Sequence, residues 1–163
     1  MICELDTNKF SVLPFSEKLI LWGIRTWVLS HKGQVGGHEM LQQGFKLAGV
    51  PDAHAALNDF MSVLACSAKT TIDIRCMKCD EVSVDEQRLL GVVANFQIGG
   101  NKDSGKHWLS IWLPPSATRI ITQSAECLAN ALAHAELKIR LRNNVQPTRL
   151  RTIPLGVTNE SIH

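Results

Sequence analysis

The sequence predicts an all-α fold, a single bundle of five to six helices, on three observations. Apolar residues recur at spacings of three and four from Leu19 to Leu137, residues that start and stop helices punctuate those runs, and only one short stretch alternates as a strand does. A lone strand has no partner with which to build a sheet, so the apolar faces must be buried helix against helix.

The first helix is expected over 16–31. Ser16 reads as its N-cap and Glu17 as its acidic first turn, Leu19, Ile20, Leu21, Ile24, Trp27 and Val28 supply a wide apolar face, and His31-Lys32-Gly33 supplies the stop. A second helix, 37–49, places Met40, Leu41 and Phe45 on one side and closes at Gly49. Pro51 suits the first turn of a third helix, 52–67, which carries Ala53, Ala56, Leu57, Phe60, Met61 and Leu64. Thr70 to Arg75 is the alternating stretch, rich in β-branched side chains. Ser83 with Glu86 three positions on is the sharpest local signal, a capping box opening a helix at 84–98 that ends before Gly99-Gly100. A short helix over 106–113 puts Trp108 and Trp112 on one face. Pro114-Pro115-Ser116 opens the longest, 116–141, rich in Ala and Leu. Residues 1–142 thus form the helical domain, and 143–163, with Pro147, Pro154 and Gly156, read as an irregular C-terminal arm.

Composition narrows the function classes. A chain of 163 residues with 45% hydrophobic residues and a net charge of +2 is neither disordered nor fibrous. A chain of this size buries roughly 69% of its extended surface on folding, enough for a core without staples. The apolar stretch from Leu19 to Leu29 is broken by Arg25 and falls short of the ~20 residues of a membrane span. The first residues lack the basic and apolar regions of a signal peptide. Five scattered cysteines, an odd number, fit reduced thiols better than a disulfide framework. These points together predict a soluble cytoplasmic protein with no membrane contact.

Cys76-Met77-Lys78-Cys79 is the one motif with chemistry in it. Two thiolates at this spacing grip a tetrahedral metal such as zinc from a tight turn, or close into a reversible disulfide beside the positive charge of Arg75 and Lys78, or are simply two ordinary thiols in a loop that precedes a helix, which is the reading the incomplete context favours. Four zinc ligands are needed, yet Cys66, His54, His107 and Cys127 are singly placed. His38-Glu39 begins a metalloprotease pattern that Gln42 breaks, and no phosphate-binding glycine loop is present. No nucleophile with a base and an acid stands out, so the chain reads as non-enzymatic.

Charge gathers at the C-terminal end: 138–163 holds five basic residues and one acidic, whereas 1–137 is slightly acidic. Arg140 and Arg142 are candidate contacts for an acidic partner. Alternatively, Lys138 and Arg140 complement the C-terminal end of the last helix. The modest basic excess argues against nucleic acid. Trp22, Trp27, Trp108 and Trp112 are candidate anchors, since Trp22 and Trp27 point to different faces of one helix. The reading that unites these features is a small protein-interaction or self-association module, with a homodimer or other protein partner expected. Its alternatives are a metal-binding or thiol-redox protein using Cys76 and Cys79, and a small-ligand-binding bundle.

Overall fold

Helices form where the apolar spacing places them. A computed structural model describes residues 8–142. Over these residues the chain runs through a 3-10 turn, Phe10–Val12, and six α-helices: α1 (Phe15–His31), α2 (Gly37–Leu47), α3 (Pro51–Ser67), α4 (Val84–Gln97), α5 (Lys102–Leu109) and α6 (Pro115–His134). The described residues hold no strand, only one antiparallel bridge between Lys9 and Glu81. The all-α bundle read from the sequence is the fold observed. The expected arm, 143–163, lies outside the described residues.

The most extensive helix contact joins α3 to α6; α4 packs on α5 and α6, and α2 on α1 and α3. Ile20, Leu21, Phe45, Leu57, Leu89, Ile121 and Leu128 meet in the shared core with no solvent exposure. Two tryptophans lie directly on helix backbone. The Trp22 ring sits on α2 at Gly44 and the Trp108 ring on α4 at Gly91, where any added Cβ would overlap the indole. Glycine inside a helix weakens it by about 1 kcal/mol relative to alanine, a cost these two positions accept because only glycine lets the rings approach.

The α4 cap is the one the sequence specifies. Ser83 Oγ accepts the Glu86 backbone N–H at 3.0 Å, and Glu86 Oε2 accepts the Ser83 N–H at 3.0 Å. The Ser83 hydroxyl also donates to the Asp73 carbonyl, fastening the preceding segment. Ser83→Ala is therefore expected to lower stability by about 0.5–2 kcal/mol, read as a lower urea midpoint with an unchanged slope. An unmoved midpoint would mean that water replaces the hydroxyl on both sides.

Three expected boundaries are corrected. The N-cap of α1 is Pro14; Ser16 lies inside the first turn, where its buried hydroxyl donates to the Lys138 carbonyl at 2.7 Å. The short helix near Trp108 starts at Lys102, where Gly105 lets its first turns rest on Phe96, and stops at Leu109, beyond which the N–H groups of Ile111, Trp112 and Leu113 return to Trp108 and Leu109 in turns that lead to Pro114. α6 ends at His134, seven positions short of the expected 141. Glu136 takes a left-handed φ of 60°, the Leu137 N–H returns to the Leu132 carbonyl at 2.8 Å, and the chain leaves the helix axis. Lys138 and Arg140 accordingly lie beyond the helix and do not complement its end. Gln97 holds the departing segment instead, donating to the Leu137 carbonyl at 2.9 Å and accepting the Ile139 N–H at 2.8 Å. None of the helices is long and apolar enough to cross a membrane among the described residues.

Candidate functional site

The connection from α3 to α4, residues 68–83, is the longest in the described chain. It is also the segment to which the buried pair Arg25 and Glu86 is directed. Arg25, midway along α1, is 2% exposed and Glu86 is fully buried. Their pairing is bidentate, Nε to Oε1 at 2.8 Å and Nη2 to Oε2 at 2.9 Å. A buried ion pair offsets its desolvation only when its remaining donors and acceptors are satisfied. Here the 68–83 segment satisfies them. Arg25 Nη1 donates to the carbonyls of Cys79 at 2.7 Å and Cys76 at 3.2 Å, and Nη2 to that of Glu81 at 3.0 Å. Glu86 accepts the N–H of Arg75 at 3.1 Å and that of Ser83 at 3.0 Å. The Phe10 ring lies 5.1 Å from the guanidinium carbon and covers it. Five backbone groups of one surface segment therefore end on a single ion pair.

The N-terminal residues brace the same segment from outside. The Phe10 N–H donates to the Asp80 carbonyl and the Val82 N–H to the Asn8 carbonyl, each at 2.6 Å. The Ser11 N–H and hydroxyl bond the Asp80 carboxylate and hold that carboxyl below its usual range.

Within the segment the bonding alternates. The Asp73 N–H donates to Asp85 Oδ2 at 2.8 Å and the Arg75 N–H to Glu86, so both face the start of α4. The intervening peptide groups of Ile72 and Ile74 make no hydrogen bond among the described residues. That is the pattern of an extended chain bonded along one edge and open along the other. The Ile72 and Ile74 side chains line an open groove of about 650 Å³, with Trp27, Met61 and Leu64 as its apolar wall. Lys32 and Lys69 also line it, and no carboxylate does.

Cys76 is exposed and Cys79 half-buried, both free thiols, and the Cys79 N–H donates to the Cys76 carbonyl at 3.1 Å to close a turn. No group of three or more His, Cys, Asp or Glu side chains converges on a metal position among the described residues, so no further ligands join these two cysteines there.

The tryptophans are engaged within the domain. Trp27 and Trp112 are buried, Trp22 and Trp108 half-buried. Trp27 donates to Asn58 at 3.0 Å and stacks on His31 with ring centroids 3.6 Å apart. Trp112 Nε1 donates to Asp85 at 3.3 Å. Arg140 and Arg142 converge on one buried carboxylate, Glu17, at 2.9 and 2.7 Å. Ser30 Oγ and His31 Nδ1 lie 3.2 Å apart, but each also bonds the Trp27 carbonyl, which ties the pair to its own helix. His38 and His54 meet edge to face at 4.6 Å, and burial together with the His38 charge lowers the pKa of His54.

Arg25 and Glu86, which organise this site, and Glu17, which holds the C-terminal segment, carry roles that local patterns do not reveal. Arg25 registers in the sequence only as a charge interrupting an apolar face, and Glu86 only as a cap. A cation on the buried face of a helix is nonetheless a signal, since it requires a carboxylate from another element.

No family model, curated protein or solved structure matches this chain.

Proposed function

We propose that this domain is a non-enzymatic protein-interaction module that takes an extended segment of a partner protein along the open edge of residues 70–75. The observation that carries this reading is the alternation at that edge: the peptide groups of Asp73 and Arg75 are bonded inward, while those of Ile72 and Ile74 are unbonded beside an apolar groove. An added strand would satisfy the open groups, and its alternate side chains would enter the groove. Lys32 and Lys69, with no carboxylate among the lining residues, favour an apolar segment flanked by Asp or Glu. A second copy of this chain fits less well, because its own alternating stretch is bounded by cations, Lys69 and Arg75.

Amide hydrogen exchange gives the first test. In the free protein, Asp73 and Arg75 are expected to be protected while Ile72 and Ile74 exchange quickly. Equal protection of all four would refute the open edge, and protection that rises with protein concentration would transfer the edge to self-association. The second test is selection from a displayed library of short peptides. Selected sequences are expected to alternate apolar residues next to an acidic end and to protect Ile72 and Ile74 on binding. They should also bind the Lys32→Glu, Lys69→Glu variant about tenfold more weakly, or ~1.4 kcal/mol. Binding that ignores both lysines, or leaves those two amides unprotected, would overturn the proposal.

A further inference from the structure

We infer that Cys76 and Cys79 form a reversible dithiol–disulfide site, independently of what occupies the neighbouring groove. The turn between them is closed by the Cys79 N–H on the Cys76 carbonyl at 3.1 Å. A turn of this kind keeps its first and last Cα atoms within about 7 Å, and disulfides span Cα separations of about 4.4–6.8 Å. A second restraint acts on the same two residues. One nitrogen, Arg25 Nη1, lies 2.7 Å from the Cys79 carbonyl oxygen and 3.2 Å from that of Cys76. Because that guanidinium is buried and fixed to Glu86, the two cysteine backbones stay together while the domain is folded. Their carbonyls are turned inward to Arg25, so closing the side chains into a disulfide requires no loss of those bonds.

The two thiols differ in access, which sets the order of reaction. Cys76 is exposed and Cys79 half-buried. With a low-molecular-weight disulfide such as oxidised glutathione as oxidant, the Cys76 thiolate attacks one sulfur, the oxidant's S–S bond breaks, and one glutathione leaves as the thiol with the proton that Cys76 gave up. The Cys79 thiolate then attacks Cys76 Sγ and expels the second glutathione, which takes the proton from Cys79. Two cysteine thiols are oxidised by two electrons and one external disulfide is reduced to two thiols; excess reduced glutathione runs the sequence backwards. Cys66, on α3, and Cys127, on α6, are exposed thiols without a cysteine in a shared turn, so the same oxidant leaves them as mixed disulfides.

The test uses the full chain equilibrated in glutathione buffers of increasing oxidised fraction, trapped by alkylation and read by peptide mass. Cys76 and Cys79 are expected to escape alkylation together, with the mass of an internal disulfide, and to recover on reduction. Cys79→Ser is expected to stop at a glutathione adduct on Cys76, and Cys76→Ser to form its adduct more slowly. A wild-type protein that retains the Cys76 adduct without closing, or whose two thiols remain alkylatable in the most oxidising buffer, would overturn the inference. So would thiols blocked by a metal that a chelator removes.

Discussion

Glu86→Gln is expected to lower the unfolding free energy by about 3–5 kcal/mol, the range for breaking a buried ion pair from one side. The substitution keeps size and shape, so its effect isolates charge and hydrogen-bond polarity. Oε1 receives Arg25 Nε and the Arg75 N–H, and Oε2 receives Arg25 Nη2 and the Ser83 N–H. Whichever position the glutamine NH2 takes, it meets two donors, and Arg25 is left as a buried cation without a counter-charge. Equilibrium unfolding in urea at neutral pH measures the loss; less than about 1 kcal/mol would mean that water reaches the pair. A second variant separates the pair from the segment it holds. Replacing both partners, Arg25→Met with Glu86→Leu, is often neutral for an isolated buried pair. Here it removes the partners of five backbone groups between Arg75 and Ser83, each costing about 1–3 kcal/mol if left unsatisfied. The double variant is therefore expected to stay several kcal/mol below wild type, with the 68–83 amides losing exchange protection first.

The helices were legible because the signals for them are local. Ser83 and Glu86 cap within one turn, and the spacing of Leu57, Phe60, Met61 and Leu64 defines a face without reference to the rest of the chain. The end of α6 was not legible for the converse reason. Ala133, Leu137 and Leu141 continue the helical spacing of four, and no glycine marks the stop, since Glu136 itself adopts the left-handed turn. Ile139 is buried in a non-helical segment that Ser16 and Gln97 tie to the bundle, which a helical reading of the same residues does not distinguish. The site divides in the same way. The alternation of Thr70 to Arg75 and the cysteine spacing are visible in the sequence, but a strand there lacked a partner. The partner on its bonded side is the pair of carboxylates Asp85 and Glu86 at the start of α4, reached across 11 and 12 positions. The Arg25 clamp spans 61 positions and the Glu17 pairings more than 120, distances at which no periodicity speaks.

Acid is expected to loosen the C-terminal segment through Glu17. Burial alone would raise this carboxyl, but side-chain hydrogen bonds from Arg140 and Arg142, the Arg142 charge and the Arg140 N–H outweigh it, and the pKa falls from 4.5 to about 2. A carboxyl whose folded pKa lies below its unfolded value stabilises the fold above the unfolded pKa, and that contribution is lost as pH falls through the interval between the two. The window here runs from 4.5 down to about 2. A shift of this size corresponds to at most about 3 kcal/mol, reduced by solvent screening on the Arg140 side. Arg140 is 52% exposed and Arg142 only 11%, so Arg142→Gln is expected to cost more than Arg140→Gln. Urea unfolding of wild type and Glu17→Gln between neutral pH and about pH 2 isolates the group. The two curves should differ by about 2–3 kcal/mol at neutral pH and converge toward the acid end. A difference that stays constant with pH would assign the acid sensitivity to other carboxylates, Asp80 among them, and reduce Glu17 to a packing role. Convergence would establish that Arg140 and Arg142, candidate contacts for an acidic partner in the sequence, are held by a carboxylate of the same chain.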